Sequence, residues 1–161
     1  MRLQLAREDA VFHFPRRNWW TPDPAGPDLS VPLGDRIAGT PVGPAAGPHT
    51  QLAQNLVLCW LAGGRIMELK TVQLNDRLKI DRPCIDIATV GYNIEWSQEL
   101  RIDQSAEQYV AGAMLIHMLV AGGLLGDSPL TTHATGTIFD VSVGYDLAGI
   151  QSAPMRAFLA I

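Results

Sequence analysis

Cysteine and charged residues are both scarce in this sequence of 161 residues. Its two cysteines, Cys59 and Cys84, are too few for a disulfide scaffold, and their spacing matches no metal-binding motif. The formal net charge is −4, which argues against a protein that binds nucleic acid or an anionic membrane surface. Hydrophobic residues make up 47% of the chain, so we expect a folded domain with a sizeable core, and wholesale disorder is excluded.

Long hydrophobic runs are also missing. One uncharged and apolar stretch, residues 109–125, falls short of the roughly 20 apolar residues of a membrane-spanning helix and contains Gly112, His117 and Gly122. We interpret it as a buried helix. The first residues carry several charges and lack the apolar segment of a secretory signal. These absences predict a cytoplasmic protein without a membrane span.

Prolines interrupt the N-terminal segment at positions 15, 22, 24, 27 and 32. Because proline breaks regular elements, residues 1–39 are predicted to form an extended arm that packs against the rest of the chain. A short strand pair is expected near residues 33–39. Trp19 and Trp20 are expected to cover an apolar surface, and stacking on a ligand is the alternative for either ring.

From Thr40 onwards the pattern is one of alternating strands and helices. Residues 41–48 predict a strand that runs into a tight turn of small residues. Thr50 is a favourable N-cap for a helix that ends at Gly63–Gly64. The apolar face of that helix carries Leu52, Leu56, Cys59 and Trp60. Residues 66–72 predict a second strand, and the strand–helix–strand order indicates a βαβ unit with parallel strands.

The second half of the chain continues this order. Residues 73–102 show no sustained period, and a loop of this length is typically functional. Ser105–Gln108 fits a capping box that begins the strongest predicted helix, which ends at Gly122–Gly123. Residues 137–143 predict a third strand, and Ser152–Pro154 predicts the start of another helix.

Two α/β architectures accommodate this order, a doubly wound sheet and a (β/α)8 (TIM) barrel. The dinucleotide fingerprint of the first is absent, since prolines flank the turn after the first strand and the second strand ends in Lys70–Thr71. We therefore favour the first three βα units of a barrel over residues 40–161, preceded by the arm at 1–39. A barrel typically takes about 250 residues, so we expect a truncated one.

In a barrel the chemistry lies at the carboxyl ends of the strands. Those ends are residues 45–49, 70–73 and 142–145. The small residues Ala45, Ala46 and Gly47 let a flat ligand approach the main chain, or else they serve close helix packing. Lys70 ends an apolar strand and can hold an anion or the electron-rich end of a flavin. The alternative is a lysine that extends into solvent.

Five blocks of the sequence stand in a distinctive order. They are TPVGPAAGPHTQLAQN (40–55), ELKTVQ (68–73), RPCID (82–86), GYNIEWS (91–97) and SVGYDL (142–147). In this order they resemble the N-terminal region of the family called "putative selenate reductase subunit", over roughly residues 40–156. The resemblance implies a large multidomain oxidoreductase whose first part is similar to the flavin barrel of dihydroorotate and dihydropyrimidine dehydrogenases.

The cofactors and partners are implied by this resemblance alone. The barrel would bind FMN, while iron–sulfur clusters, FAD and NADPH would belong to later domains, for which these residues contain no motif. The implied partners are the rest of the polypeptide and molybdenum-hydroxylase-type subunits. The resemblance also implies that the chain alone is inactive and that its parent is an oxidoreductase.

The site residues are implied in the same way. The turn Ala45, Ala46 and Gly47 would contact FMN through the main chain, and Lys70 with Thr71 would contact the isoalloxazine. A lysine at the N1–C2=O edge stabilises negative charge on the reduced ring. Asn93 would contact the substrate. The active-site base and the phosphate-binding loops correspond to segments beyond these residues, so no catalytic residue is identified.

Other residues are weaker candidates. His49 adjoins the predicted flavin turn, and the long loop holds Cys84, Glu95 and Trp96, which could line a pocket. His117 is expected to be a hydrogen-bonded core histidine. Two further functions stay open: a catalytically silent barrel that acts as a scaffold in a molybdenum-enzyme electron-transfer assembly, and an aldolase-like or phosphate-binding barrel without flavin.

Overall fold

The computed structural model describes residues 2–74, 85–86, 92–93, 100–126, 136–144 and 146–161. The helices in this part of the chain are α1 (Arg2–Glu8), α2 (Ala53–Leu61), α3 (Ile102–Ala121), α4 (Leu147–Ile150) and α5 (Ala153–Leu159). The strands are β1 (Ala10–Val11), β2 (Phe14–Pro15), β3 (Val31–Leu33), β4 (Arg36–Ala38), β5 (Ile66–Glu68), β6 (Ile85–Asp86), β7 (Tyr92–Asn93) and β8 (Ile138–Asp140). 3-10 turns cover Arg16–Asn18 and Pro48–Gln51.

A parallel sheet stands at the centre of the fold. Strands β5 and β8 pair in parallel with Ile66 opposite Ile138. The pairing continues beyond β5, where the N–H of Leu69 donates to the carbonyl oxygen of Asp140 at 3.0 Å. Helix α3 lies between these strands in the chain, as a parallel connection requires. The predicted second and third strands are therefore confirmed as parallel neighbours.

The first predicted strand lies beside β5 without forming a regular strand. The carbonyl oxygen of Val42 accepts from the N–H of Ile66 at 3.2 Å, and that of Pro44 accepts from the N–H of Glu68 at 3.3 Å. Pro44 has no N–H to donate in return, so the hydrogen bonding is one-sided. A Cβ at Gly43 would lie 1.5 Å from the carbonyl oxygen of Ile66, so only glycine permits this approach.

Helices α2 and α3 pack on each other and share one core with residues of the sheet. A Cβ at Gly112 of α3 would lie 2.7 Å from Cδ1 of Leu56 on α2, which shows how closely the two helices approach. The core comprises Val11, Trp19, Leu56, Val57, Trp60, Leu61, Met67, Leu69, Val72, Tyr109, Ile116, Leu119, Leu125, Met155 and Phe158. It unites both helices, the sheet, α5 and part of the N-terminal segment.

The N-terminal segment is only partly the extended arm that the prolines predict. Residues Arg2–Glu8 form α1, because this stretch contains no proline and is rich in helix-favouring residues. Strands β1 and β2 form a hairpin, and β3 and β4 form a second one where a strand pair is expected. Trp19 is buried, and the N–H of Trp20 donates to the carbonyl oxygen of Leu61 at 2.9 Å. Both tryptophans thus pack against the body of the protein.

Arg65 directly precedes β5 and is fully buried between two tryptophans. Its Cζ lies 4.5 Å from the ring centroid of Trp60 and 5.5 Å from that of Trp20. Its Nη1 donates to the carbonyl oxygens of Trp60 and Gly64 at 2.8 and 2.7 Å. Burial lowers the pKa of Arg65 to about 10, so it remains a cation at neutral pH. The stack joins the N-terminal segment to the amino end of the sheet.

The start of α2 differs from the prediction. Thr50 is not its N-cap, because it lies in a 3-10 turn where its hydroxyl donates to the carbonyl oxygen of Gly47 at 3.0 Å. The helix begins three residues later at Ala53, and Leu52 is 45% exposed, outside the buried face to which its spacing assigned it. The predicted end is correct, since the chain turns at Gly63 with φ of +104°.

Helix α3 also starts earlier than predicted. It begins at Ile102, and the side chain of Gln104 accepts the N–H of Arg101 at 3.0 Å, so Ser105 lies buried inside the helix. His117 is exposed on α3, which corrects the expectation of a core histidine, because its face of the helix points away from α2 and the sheet. The start of α5 is confirmed: the Ser152 side chain caps it.

The described residues form an open α/β arrangement rather than a closed barrel. Segment 42–44, β5 and β8 lie side by side in chain order, as consecutive barrel strands do. Among the helices of the described residues, none has the length and apolarity needed to cross a membrane.

Candidate functional site

The predicted cofactor-binding residues lie at the ends of neighbouring strands, along one edge of the parallel sheet that we call the carboxyl edge. It consists of the turn Ala45–Gly47, the segment Lys70–Thr71 and the end of the third strand at Ser142–Val143. Val72 and Val143 pair in parallel at this edge, which brings the ends of the second and third strands together. Ligands of parallel α/β folds bind beyond the carboxyl ends of the strands, so this edge is the candidate site.

The small-residue turn is held by hydrogen bonds from its own surroundings. The N–H of Ala46 donates to Oε2 of Glu68 at 2.9 Å, and the N–H of Gly47 donates to Oγ1 of Thr50 at 3.2 Å. Ala45 is exposed and Ala46 is half-buried. The turn therefore offers a surface of methyl groups, while two of its main-chain donors are already engaged within the chain.

Lys70 is buried at the end of the second strand, with 2% of its surface exposed. Its carbonyl oxygen accepts from the hydroxyl of Tyr109 at 2.7 Å, and burial raises the pKa of that hydroxyl, so it stays a donor. A buried ammonium group is costly unless acceptors or a negative charge surround it. Thr71 follows it and is half-buried. The sequence left open a lysine extending into solvent, and the burial of Lys70 disagrees with that alternative.

Neighbouring residues of α3 bond to the start of α2 and to the end of the second strand. The side chain of Gln108 accepts the N–H of Ala53 at 3.0 Å, at the start of α2. The next residue, Tyr109, holds the carbonyl group of Lys70. The start of α2 and the end of the second strand are therefore bonded to neighbouring residues of α3. These two contacts fix the start of α2 relative to Lys70.

Sequence reasoning missed Gln51, which ends the 3-10 turn that follows Gly47. Its side chain is 2% exposed, and within the described part of the chain no acceptor lies within hydrogen-bonding distance of its Nε2. A glutamine between a turn and a helix is ordinarily exposed, so neither composition nor spacing could have signalled its burial. Gln73 is a second buried polar residue at this edge, three positions after Lys70.

The remaining predicted residues are less informative. Asn93 lies in β7, where its main chain pairs with Ile85 of β6. Cys84, Glu95 and Trp96 lie outside the described residues. His49 is exposed, and its carbonyl oxygen accepts from the side chain of Asn55 at 2.9 Å, a contact that belongs to the turn rather than to a site.

Metal ligands do not cluster in the described ranges. No group of three or more His, Cys, Asp or Glu side chains there could hold a metal ion. Glu68 and Asp140 are neighbours across the pairing of β5 and β8, and Glu68 is committed to the N–H of Ala46.

The sequence is similar to a family of known proteins. A family model described as "Oxidoreductase YgfK, N-terminal TIM-barrel domain" matches residues 12–161. The chain belongs to this family. Two curated relatives, from Escherichia coli strain K12 and Escherichia coli O157:H7, are both called "Putative oxidoreductase YgfK" and are each 43% identical over 156 residues. No solved structure shows significant similarity to the chain.

The YgfK family assignment bears directly on the predicted fold. The order of strands and helices predicts a TIM barrel, the family resemblance implies the N-terminal part of an oxidoreductase, and the family match confirms both at that level. The matched region covers 97% of this chain and 14% of the length of the relatives. The names of the relatives state an oxidoreductase and say nothing about selenate, flavin or partners.

Proposed function

We propose that this barrel domain binds FMN at its carboxyl edge and transfers electrons within a multidomain flavin and iron–sulfur oxidoreductase of the "selenate reductase subunit" type. FAD, NADPH and the iron–sulfur clusters would be held by other domains of the natural polypeptide that carries this chain. That polypeptide would act in the cytoplasm, with molybdenum-hydroxylase-type subunits as partners.

The observation that carries the proposal is the burial of Lys70 at the end of the second strand. A barrel strand that delivers a desolvated ammonium group to its carboxyl end supplies a fixed positive charge where a ligand binds. When bound there, FMN would supply the redox chemistry, and Lys70 would stabilise negative charge on the reduced ring. Thr71 adds a hydroxyl group beside it.

The small side chains of the turn Ala45–Gly47 suit a flat ring, but two of its main-chain N–H groups, which the resemblance implied as FMN contacts, are already hydrogen-bonded. Ala45, Ala46 and Gly47 present no bulky side chain, so a ring can lie against them through van der Waals contact. The N–H groups of Ala46 and Gly47 are bonded to Glu68 and Thr50, so they are not the donors that hold the ring. Lys70 and Thr71 would provide the polar contacts instead, and Asn93 would approach the substrate.

The hydrogen bonds that the N–H groups of Ala46 and Gly47 already make within the chain favour a second candidate function. A turn that satisfies its own N–H groups needs no ligand for its stability, which suits a catalytically silent barrel that acts as a scaffold in an electron-transfer assembly. The two functions differ in whether FMN is present, so one measurement separates them.

The test is extraction of the cofactors from the purified natural polypeptide. After acid release, chromatography distinguishes FMN from FAD, which a visible spectrum alone does not. We expect about one FMN per polypeptide, and we expect Lys70→Ala to lose most of it because the buried charge is removed. Arg36→Ala, which removes an exposed charge from β4, is the matched control and should keep its FMN. FAD without FMN in the unmodified polypeptide would favour the scaffold.

A further inference from the structure

We propose that Gln51 is a ligand-binding residue of the carboxyl edge, whose Nε2 donates a hydrogen bond to an oxygen of the bound ligand. The inference rests on the proposed function, because the ligand it addresses is the FMN placed beside Lys70. It adds a residue that neither the family match nor the sequence motifs assign.

The first support is the state of the Gln51 side chain. It is 98% buried by the protein, since only 2% of its surface is exposed, and within the described residues its Nε2 has no hydrogen-bond acceptor. A buried amide that lacks an acceptor destabilises the folded protein, and such groups are rare in native structures. Retention of the amide at this position is explained when a ligand supplies the missing acceptor.

The second support is the position of Gln51 in the chain. It is the last residue of the 3-10 turn Pro48–Gln51, directly after the small turn at the end of the first strand. The hydroxyl of Thr50 is bonded to both the N–H and the carbonyl group of Gly47, which fixes the beginning of this turn. Gln51 is thereby placed on the segment that forms the carboxyl edge.

The third support is the link between this segment and Lys70. Two residues after Gln51, the N–H of Ala53 is held by Gln108, and the adjacent Tyr109 holds the carbonyl group of Lys70. The amide and the ammonium group are therefore carried by two chain segments that one turn of α3 fixes relative to each other. A donor held this rigidly is pre-organised and loses little entropy when a ligand binds.

The donor chemistry defines the class of ligand. A carboxamide N–H and an ammonium group both require acceptors, so together they select a ligand rich in carbonyl or anionic oxygens. The pyrimidine portion of FMN carries two carbonyl oxygens and its tail carries a phosphate, so FMN meets this requirement. A cationic ligand would be repelled by Lys70 and would give Gln51 no acceptor.

The experiment uses Gln51→Met in the natural polypeptide, with Gln54→Met as the matched control. Methionine preserves length and removes the amide, and Gln54 is an exposed glutamine on the next helix.

The FMN-depleted proteins are unfolded thermally and titrated with FMN. We expect Gln51→Met to raise the midpoint temperature of the depleted protein, because an unsatisfied buried group is removed. We also expect it to weaken FMN binding about tenfold, which is the loss of one hydrogen bond. Gln54→Met should change neither quantity.

Three other outcomes are informative, and they separate the inference from the proposed function. Unchanged FMN affinity in Gln51→Met would show that the amide does not contact the ligand, while the proposed function would stand. A lowered midpoint temperature or failure to fold would show that Gln51 is structural; Gln51→Glu, which keeps the shape but replaces the donor with an acceptor, must then still weaken FMN binding or the inference fails. An unmodified polypeptide that binds no FMN would overturn the proposed function and this inference together.

Discussion

At the scale of single residues, Gly43 controls how closely the first strand approaches the second. Its missing side chain allows the carbonyl oxygens of Val42 and Pro44 to accept hydrogen bonds from Ile66 and Glu68. Any Cβ at Gly43 would occupy the space of the carbonyl oxygen of Ile66. Since the small turn of the candidate site continues from this segment, the position of the turn depends on this contact.

We therefore expect Gly43→Ala to destabilise the domain by about 3 kcal/mol, because the two segments must move apart. Gly144→Ala is the matched control, since a Cβ there meets nothing within 4 Å. Pulse proteolysis of the natural polypeptide in increasing urea measures both. Equal stability of the two variants would contradict the close approach of the first strand.

Cys59 is a residue whose chemistry the fold suppresses. It is half-buried on α2, and burial raises the pKa of its thiol. Because the thiolate is the reactive form, its population at pH 8 is smaller than in a free cysteine. We expect iodoacetamide to label Cys59 several-fold more slowly in the folded protein than in denaturant, measured on the peptide that contains it by mass spectrometry. Equal rates in both states would contradict the described burial.

At the scale of elements, the N-terminal segment and the sheet are joined by the stack of Trp20, Arg65 and Trp60. The guanidinium lies over both rings and donates to main-chain carbonyl groups, while the main chain of Trp20 is bonded to Leu61. Cation–π contacts of desolvated groups contribute roughly 2 kcal/mol. The segment before residue 40 is in this way a structural part of the domain.

We expect Arg65→Met to destabilise the domain by about 3 kcal/mol, because two buried carbonyl groups lose a charged donor. Hydrogen exchange at the N–H of Trp20 should accelerate, since the ring loses its contact with the guanidinium. Arg17→Met, which removes an exposed arginine from the same N-terminal segment, is the control. Unchanged exchange at Trp20 would show that the segment is held by other contacts.

The elements also show what the sequence could and could not predict. Glycine and serine signals located the end of α2 at Gly63 and the start of α5 at Ser152, because these depend on local chain geometry. The predicted N-caps of α2 and α3 were wrong by two and four residues, since Thr50 bonds to Gly47 within a 3-10 turn and Ser105 is buried inside α3. The irregular first strand arises from Pro44 meeting its neighbour in the sheet, which a local pattern does not contain.

The sequence also predicts only some features of the candidate site. Lys70 and the turn at Ala45–Gly47 were predictable from strand ends and from the family resemblance. The buried state of Gln51 and the fixing of Lys70 by Tyr109 were not, because both result from tertiary contacts with α3 or its surroundings. A polar residue that becomes buried only through folding leaves no periodic signal.

At the scale of the whole molecule, the described sheet is open on the side of β8, and apolar side chains are exposed near it. Val141, Leu159 and Ile161 have 43%, 54% and 70% of their surfaces exposed. An apolar groove of about 220 Å³ between α3 and α5 includes Tyr109 and Phe158. Open strand edges and exposed apolar surface both promote association.

We expect the 161-residue chain, expressed alone, to self-associate and to bind FMN weakly, because its sheet edge is uncovered and no phosphate-binding loop is expected in it. Light scattering after size-exclusion chromatography measures the association. A monodisperse monomer with one cooperative unfolding transition would contradict this expectation.

The central claim is that the carboxyl edge around Lys70 holds FMN. The most direct measurement is an electron cryo-microscopy map of the natural polypeptide purified in the presence of FMN. We expect density for the isoalloxazine against Ala45–Gly47, with its pyrimidine edge within hydrogen-bonding distance of Lys70 and Gln51. Density for FMN in another domain only, with the edge around Lys70 filled by protein side chains, would contradict it.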